Sequence, residues 1–348
     1  MRIPYFAAWL IAFITCGSLT IAFETEQQKF YNSSAGTSVL RIISTADISS
    51  FEPILLAFQA DNPTIDIDYV VASSAQTMQA IYDEQAPFDL VISSAMDLQT
   101  KLANDGFAQT YVSSTTDSLP TWAKWRNQVF AFTQEPAVLV VSEKAFRDLP
   151  IPNTREELIE LLRDNPQKFW GRVGTYDVRT SGFGYMLATQ NSRNTDSFWR
   201  LTEVMGRLNT RLYCCSGEMI DDVAAGRLAM AYNVLGSYAE NRLKTLDGVK
   251  IVPMQDFVSL MLRTSIITTN AQNASGAKRM VDFLSMMETR PELSAASGLP
   301  AVQRQETTAA KGLRPIRLGP GLLVFLDRLK RETFIRNWQN SIVQNNPL

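Results

Sequence analysis

Short apolar runs that suit β-strands alternate with segments of helical periodicity in the first part of the chain. Phe51, Ile54 and Phe58 recur at helical spacing, and residues 49–52 have the pattern of a capping box. The predicted strands are 39–43, 65–72 and 88–92, and each is followed by a helix, ending near 61, 83 and 105 respectively. This βαβαβα order predicts a doubly wound α/β lobe.

A long strand-like stretch at 129–141 suits a segment that crosses from one lobe to another. Beyond it the same alternation predicts a second α/β lobe, until strands at 249–253 and 259–267 carry the chain back. Residues 321–342 are amphipathic and basic, and we expect them to pack across the back of a lobe. The predicted fold class is therefore α/β, with two doubly wound lobes joined by crossing strands: 39–135 plus 258–348 in lobe 1 and 136–257 in lobe 2.

The N-terminal residues have the composition of a secretory signal peptide. Arg2 supplies a positive start, residues 3–22 are almost all apolar or small, and Thr20 and Ala22 suit a cleavage site. We predict a signal peptide at 1–22 and a periplasmic mature protein, although an uncleaved membrane anchor has similar length and hydrophobicity. The polar stretch 24–38 is expected to be a loose tether.

Composition narrows the possible functions. The 348 residues suffice for two lobes, and a net charge of −2 argues against nucleic acid, which requires a concentrated basic face. Histidine is absent, which excludes Ser-His-Asp and Cys-His nucleophile systems and histidine-containing zinc sites. We therefore expect a monomeric binding protein rather than an enzyme, without a cofactor or a structural metal.

Two of the three cysteines, Cys214 and Cys215, are neighbours, and Cys16 leaves with the predicted signal. Their Cα atoms lie about 3.8 Å apart across a trans peptide, below the usual disulfide range. An oxidising compartment nevertheless favours a vicinal disulfide. The other interpretation is two small buried residues at a strand end.

Several motifs occur in a characteristic order: FDLVISSA at 88–95, AVLVVSEKAF at 137–146, GTYDVRTSGFGY at 174–185, GEMIDDVAAGRLAMAYNVLGSY at 217–238 and GAKRMVDFLSMMETRPELSAASGLPAV at 276–302. Together they resemble the type 2 periplasmic solute-binding proteins of ABC transporters, especially the ferric-ion-binding branch, over residues 39–305. A related subgroup contains regulators of two-component sensor kinases, such as the phosphoglycerate transport regulatory proteins. The resemblance implies two lobes joined by crossing strands, with a ligand in the cleft between them.

Hydroxyl residues recur at the predicted strand–helix loops, where α/β sheets bind ligands. They are Ser44, Thr45, Ser73, Ser74, Ser93, Ser94, Thr180 and Ser181. Helix N-termini offer free N–H groups and partial positive charge, so such loops can hold an anionic oxygen. Each hydroxyl can equally be an ordinary helix cap.

Arg179 and Gly182 flank Thr180 and Ser181, so they offer a guanidinium fork and close backbone approach to an oxyanion. Arg263 lies in an apolar stretch where an unpaired arginine would be costly, and we predict that it faces the ligand or solvent. Tyr232 and Asn233 are expected to hydrogen-bond an organic anion. Alternatively, Tyr232 is a core aromatic at a strand end.

The sequence therefore predicts an extracytoplasmic protein that captures a small anionic solute for an ABC importer. One alternative is a ligand-sensing partner of a sensor kinase, contacting its periplasmic domain. Another is a ferric-ion-binding protein. Ferric-binding relatives typically use a pair of adjacent tyrosines, often with a histidine. This chain has no adjacent tyrosine pair near Tyr232 and no histidine. Bare ferric ion is the less favoured ligand.

Overall fold

The computed structural model describes residues 23–304 and 312–344, and in this part of the chain twelve strands form one mixed sheet. In chain order the strands are β1 Gln27–Tyr31, β2 Ser38–Ser44, β3 Ile65–Val71, β4 Leu90–Ser93, β5 Lys124–Trp125, β6 Val129–Ser142, β7 Val173–Tyr176, β8 Arg211–Tyr213, β9 Met230–Leu235, β10 Val249–Val252, β11 Val258–Ile267 and β12 Leu313–Pro315. The order across the sheet is β1-β3-β2-β4-β11-β6-β9-β7-β8, with β5 and β10 paired to β6 and β12 paired to β11.

Helices cover the sheet and fill the connections between strands. They are α1 Ile48–Asp61, α2 Ser74–Met78, α3 Met96–Asn104, α4 Ser114–Asp117, α5 Arg155–Asp164, α6 Pro166–Phe169, α7 Gly182–Asn194, α8 Ser197–Arg207, α9 Ser216–Ala224, α10 Gly236–Leu243, α11 Ala274–Ser285, α12 Pro291–Ser297 and α13 Arg328–Ile342. A π-helical turn at Gln79–Asp83 extends α2, and 3-10 turns lie at Met287–Thr289 and Pro320–Leu326.

Strand β6 joins the two lobes. Its residues Phe130 to Pro136 pair with β11, and its residues Ala137 to Val141 pair with β9. Almost every side chain of β6 is buried, as expected for a strand that runs through two cores. The strand that pairs with β6 changes from β11 to β9 between Pro136 and Ala137.

Each lobe has its own parallel strands and its own core. In the first lobe β2 pairs in parallel with β3 and β4, and in the second lobe β7 pairs in parallel with β8 and β9. One core surrounds Phe51 and Phe58 in the first lobe, and another surrounds Leu162 and Phe169 in the second. The predicted fold class, two α/β lobes joined by crossing strands, is confirmed.

Residues 24–38 do not form the loose tether expected from their polarity. Residues 27–31 form β1, an antiparallel edge strand on β3 in which only Tyr31 is buried. Backbone hydrogen bonds hold a polar edge strand without an apolar side, which explains why the hydrophobic pattern did not reveal it.

The C-terminal helix lies on a different lobe from the one to which 258–348 was assigned. Its side chains Phe334, Trp338 and Ile342 lie four residues apart on one face and enter the core of the second lobe, beside α8. Before it, β12 pairs with β11, so the C-terminal segment extends along both lobes. The four-residue spacing correctly indicates a buried face but does not say which lobe receives it.

The predicted signal peptide, including Cys16, lies outside the residues that the structure describes. Among the helices described, none combines the length and apolar composition needed to cross a bilayer.

Candidate functional site

A cleft of about 520 Å³ lies between the two lobes. The first lobe lines it with Glu26, Thr45, Asp47, Ala72, Ser73, Ser74 and Ser94. The second lobe lines it with Tyr176, Thr180, Ser181, Phe183, Cys214, Cys215, Ser216, Gly217, Glu218, Asp221, Leu235, Tyr238 and Arg242. Most of the lining residues have polar side chains, with Phe183, Leu235 and the two cysteines among the apolar ones.

The cleft lies at the carboxyl ends of the parallel strands. Thr45 follows β2, Ser73 follows β3 and Ser94 follows β4, so parallel pairing brings these loops to one edge of the sheet. Across the gap, Ser181 precedes α7 and Ser216 begins α9. This is the position at which open α/β sheets generally bind ligands.

Six of the eight predicted hydroxyl residues line the cleft: Thr45, Ser73, Ser74, Ser94, Thr180 and Ser181. Some are also caps, as the alternative interpretation proposed. Ser73 Oγ accepts from Gln76 N at 3.2 Å, and Ser181 Oγ accepts from Gly184 N at 3.1 Å.

Ser94 differs from the other hydroxyl residues. Its backbone N–H donates to Thr45 Oγ1 at 3.2 Å, but its own hydroxyl has no hydrogen-bond partner within the described residues. The side chain is nevertheless deeply buried, at 6 % exposure. The hydroxyl is not among the buried atoms that lack a partner, so it is accessible from the cleft and available to a ligand atom.

Ser44 and Ser93 lie behind the cleft wall rather than on it, which corrects their predicted position. Ser44 Oγ accepts from Ala46 N at 3.0 Å, and Ser93 Oγ accepts from Ala95 N at 3.1 Å. Both are the last residues of buried strands, and side-chain alternation turns them into the first lobe, away from the gap.

Arg179 does not reach the cleft, contrary to the sequence prediction. Its guanidinium forms a two-point ion pair with Asp177, with Nε 2.8 Å from Oδ1 and Nη2 2.6 Å from Oδ2. A separation of two residues allows this local ion pair. The carboxylate two positions before Arg179 in the sequence could have suggested it.

Gly182 lies where the two lobes approach each other closely. A Cβ atom at this position would lie 2.7 Å from Ser74 Oγ across the gap, too close for any ordinary contact. The glycine therefore permits close approach between lobes, whereas the sequence predicted close approach to a ligand.

Arg263 is fully buried and lies behind the cleft, not in it. Its Nε is 3.0 Å from Glu135 Oε1, and its Nη2 is 3.4 Å from Glu135 Oε2. Thr133 and Ser237 also donate to Glu135, whereas Arg263 Nη1 has no partner among the described residues. The sequence predicted that this arginine faces the ligand or solvent, whereas its partner is the carboxylate of Glu135.

Tyr232 and Asn233 point into the second lobe, which corrects their expected role as cleft residues. Tyr232 Oη accepts from Arg155 Nε at 2.8 Å, and Asn233 Oδ1 accepts from Asn191 Nδ2 at 3.3 Å. Every residue of β9 is buried, so hydrogen bonding inside the lobe satisfies these polar groups.

The cleft also contains carboxylates that were not predicted from the sequence: Glu26, Asp47, Glu218 and Asp221. Asp221 forms an ion pair with Arg242, the single basic residue on the described cleft wall. Within the described residues Glu26, Asp47 and Glu218 have no ion-pair partner. Burial, together with the charges of Asp47 and Glu218, raises the pKa of Glu26.

Asp47 was missed because helix α1 begins earlier than predicted. The helix starts at Ile48, so Asp47 is the N-cap residue, and its side chain makes no capping hydrogen bond. Burial raises the pKa of its carboxyl, while the charges of Arg263 and Arg242 act in the opposite direction. The capping pattern at 49–52 predicts the N-cap two residues later in the sequence than the structure has it.

Tyr238 bridges the lobes beside Asp47. Its hydroxyl accepts from Asp47 N at 3.4 Å and donates to Thr45 O at 3.5 Å, while its backbone belongs to α10 of the second lobe. Burial raises the pKa of Tyr238 to about 12, so it remains neutral at physiological pH. The lobes are therefore in contact across the cleft.

Cys214 and Cys215 are paired as a vicinal disulfide on the cleft wall. Cys214 is exposed and Cys215 is partly exposed, which differs from the buried thiol pair of the other interpretation. The pair precedes α9, where Ser216 Oγ and Tyr176 Oη share a hydrogen bond. It thus forms a small apolar surface at the start of a helix.

A second space of about 300 Å³, here called the side cavity, also lies between the lobes. It is lined by Ala75, Met78, Asp97, Leu98, Lys101, Val178, Arg179, Thr180, Ser181, Gly182, Tyr185, Leu326 and Arg331. Asp97 is only 3 % exposed, and its carboxylate accepts from Leu98 N at 2.9 Å without an ion-pair partner in the described part of the chain. Burial raises the pKa of Asp97 to about 7, which hydrogen bonds from backbone N–H groups and the charge of Arg331 reduce only in part.

Across residues 23–304 and 312–344, no group of three or more His, Cys, Asp or Glu side chains is arranged to hold a metal ion. The cleft carboxylates therefore do not form a metal site in this structure.

Comparisons with known proteins agree with this architecture. The sequence profile of the family described as bacterial extracellular solute-binding protein matches residues 40–296. No curated protein matches the sequence. The structure resembles the substrate-binding protein of an ABC transporter from Agrobacterium tumefaciens, with a TM-score of 0.85, 30% identity, and coverage of 91% of this chain and 98% of that one.

More distant structures share the fold at low identity. The periplasmic binding protein AfuA from Actinobacillus pleuropneumoniae, with fructose-6-phosphate bound, has a TM-score of 0.72 and 16% identity, covering 88% of this chain and 99% of its own. Iron-bound HitA from Pseudomonas aeruginosa has a TM-score of 0.65 and 15% identity, covering 87% and 99%. The resemblance stated from the motifs is confirmed at the level of the fold and the family.

Proposed function

Because this chain belongs to the bacterial extracellular solute-binding proteins, a family of carriers, we propose that it captures a small solute in the interlobe cleft for the permease of an ABC importer. The solute presents an anionic group to the cleft. Residues 1–22 serve as the signal peptide that exports the protein to the periplasm.

The observation that carries this proposal is the meeting of hydroxyl groups from both lobes. Thr45 and Ser94 face the gap from the first lobe, and Ser181 faces it from the second. The N-termini of α7 and α9 also open onto the cleft, and each supplies free N–H groups with partial positive charge. These are neutral donors for an anionic oxygen, so recognition does not require the two arginines predicted from the sequence.

The structures of similar fold bind chemically different ligands. AfuA holds a sugar phosphate and HitA holds iron. For this chain we favour an organic anion over ferric ion, since the cleft is rich in hydroxyl groups and the described residues place no metal-ligating cluster. An oxyanion with an organic body also suits a volume of about 520 Å³ better than a bare ion does.

Thermal unfolding of the exported protein with phosphorylated sugars and acids, di- and tricarboxylates, ferric citrate and ferric ion tests the proposal. A true ligand at a hundred times its Kd stabilises the folded state by about 2.7 kcal/mol, which raises Tm by roughly 5–10 °C. Stabilisation by ferric ion alone would contradict an organic anion.

The matched variants are Ser94→Ala and Ser93→Ala, neighbours on opposite sides of the cleft wall. Loss of the Ser94 hydroxyl should weaken binding about 10-fold to 100-fold, the usual cost of one hydrogen bond to a charged group. Ser93→Ala should leave affinity unchanged, since that hydroxyl bonds only inside the first lobe. Equal affinities in the two variants would remove Ser94 from the site.

A further inference from the structure

We propose that the vicinal disulfide of Cys214 and Cys215 contacts the solute directly and packs against its carbon-bearing part, so that affinity depends on the redox state of the pair. This inference rests on the proposed function, because it concerns the solute held in the same cleft. It specifies that this solute has a nonpolar face beside its anionic group.

The disulfide does not have the usual role of a crosslink. A disulfide stabilises a fold chiefly by closing a loop of the unfolded chain, and the stabilisation grows with the length of that loop. Cys214 and Cys215 are neighbours, with Cα atoms 3.8 Å apart, so their bond joins no distant segments. Its effect is therefore confined to the surface on which it lies.

That surface is the wall of the cleft. Both cysteines line it, between the end of β8 and the start of α9, with Cys214 exposed and Cys215 partly exposed. The S–S bond joins the two side chains and the peptide between them into one ring, whose side-chain atoms are sulfur and methylene groups without an S–H donor. The pair is thus a preformed nonpolar surface, and its contact with water is unfavourable until a ligand covers it.

Further nonpolar side chains lie beside the disulfide on the same wall. Ser216, next to Cys215, shares a hydrogen bond with Tyr176 Oη, and Ser216 Oγ accepts from Leu235 N at 3.4 Å. The ring of Tyr176 contacts that of Phe183 edge-on, with centroids 5.3 Å apart. Tyr176, Phe183 and Leu235 all line the cleft, so the second lobe places a nonpolar patch there that includes the cysteine pair.

The opposite wall has a different character. Among the described first-lobe residues that line the cleft, Ala72 is the one with a nonpolar side chain, and the others carry hydroxyl groups or carboxylates. A solute whose anionic oxygens meet Thr45 and Ser94 of the first lobe therefore extends the rest of its body toward the second lobe. A nonpolar face on that body would cover the disulfide and its neighbours, whereas a small inorganic anion would leave them in contact with water.

Reduction removes the preformed surface. A dithiol such as dithiothreitol gives the disulfide two electrons and two protons, which breaks the S–S bond, leaves two thiols and closes the reductant into its own cyclic disulfide. The two side chains then turn independently and no longer form one ring. Cys16 lies in the proposed signal peptide, so the exported protein offers the reductant no other disulfide.

Calorimetric titration of the oxidised, exported protein with two matched pairs of probes tests the inference. Glucose 6-phosphate is compared with inorganic phosphate, and gluconate with acetate, so each pair shares a head group and differs in its carbon body. In at least one pair the larger probe should bind about 10-fold or more tightly than the smaller one. Dithiothreitol should weaken the binding of that larger probe by about 3-fold or more and leave the smaller one unchanged.

The double variant Cys214→Ser/Cys215→Ser gives the same test without a reductant. It should bind the larger probe roughly 10-fold more weakly, the usual effect of losing about 50 Å² of nonpolar contact, and the smaller probe within about 2-fold. Its Tm should stay within about 2 °C of wild type, because the bond closes no loop. Dithiothreitol should not affect this variant, which is therefore the control for the reductant. Should the variant fail to fold, the oxidised and reduced wild-type protein still provide the comparison.

The possible results separate the two claims. If the larger probes bind equally well to the oxidised protein, the reduced protein and the variant, the inference is overturned and the proposed function stands. An equal loss for both members of a pair also overturns it, because the disulfide would then act through the shape of the cleft and not through the carbon body. A fall in Tm of more than about 5 °C on reduction would overturn it by giving the pair a structural role. If none of the four probes binds, the inference is wrong for these head groups, and the panel of the preceding section decides separately whether the cleft takes an anion.

Discussion

Two carboxylates of this protein are buried to nearly the same degree but have opposite surroundings. Glu135 lies behind the cleft, where it faces Arg263 and accepts hydrogen bonds from Thr133 and Ser237. Asp97 lies at the side cavity, whose wall also carries Lys101 and Arg331, but it has no ion-pair partner in the described residues. The exposures of the two side chains are 0 % and 3 %.

The difference shows that burial alone does not determine what a charge does. A buried carboxylate with a cation and two hydroxyl donors is an integral part of the fold, and removing it leaves an uncompensated arginine. A buried carboxylate without a cation instead has a raised pKa, so it binds a proton and becomes neutral at a higher pH than an exposed carboxylate does. The first is sensitive to mutation and the second to pH.

The largest predicted effect is that of Glu135→Ala. Arg263 would remain buried without its partner, which should lower the free energy of unfolding by about 3–5 kcal/mol. Urea unfolding measures it. The double variant Glu135→Leu/Arg263→Met, which removes both charges, should recover most of that loss. A loss below about 1 kcal/mol in the single variant would show that the pair is not desolvated as described.

A smaller effect, of opposite sign, is predicted for Asp97→Asn. The folded pKa of about 7 exceeds the usual value near 3.9, so the unfolded state binds fewer protons between these values and wild-type stability falls as pH rises through that window. The variant cannot ionise. Relative to wild type, it should gain roughly 1–3 kcal/mol at pH 8 and little at pH 4.

Unfolding measured from pH 4 to pH 8 distinguishes this account from a simple packing effect, which would not vary with pH. Asp105→Asn, at the C-terminal end of the same helix and paired with Lys101, is the control, and because the pKa of Asp105 is lowered this variant should not gain stability at pH 8. A gain for Asp97→Asn that is equal at both ends of the range would contradict a raised pKa.

The smallest effect is predicted for Arg179→Ala. Its ion pair with Asp177 is partly exposed, with 39% of the arginine side chain accessible, so its loss should change stability by about 0.5 kcal/mol or less. Ligand affinity should stay within about 2-fold, because the side chain lies outside the cleft. A 10-fold loss of affinity, by the same calorimetry, would return Arg179 to the ligand site.

Much of the fold could be predicted because its signals are local. The apolar stretches at β2, β4 and β11 identify buried strands, and the spacing of four and then three residues between Phe51, Leu55 and Phe58 identifies a helix face. Strand β1 was missed because an edge strand needs little apolar sequence.

The candidate site was predictable only in part. The hydroxyl loops lie at strand ends, a position that follows from chain order, and six of the eight residues reach the cleft. The predicted positions of the two arginines were wrong because each forms an ion pair with a protein carboxylate: Asp177 for Arg179 and Glu135 for Arg263. Charge pairing depends on distances that the sequence does not contain.

The sequence by itself determined two α/β lobes, a crossing strand and a row of hydroxyl loops, because hydrophobic period and strand order act over a few residues at a time. Only the tertiary structure decided the charge of the cleft. Glu26, Asp47 and Glu218 are far apart along the chain and each looks like an ordinary surface acid. They become one electrostatic feature when β1 joins the sheet edge and α9 closes from the opposite lobe, since Coulomb interactions depend on separation in space.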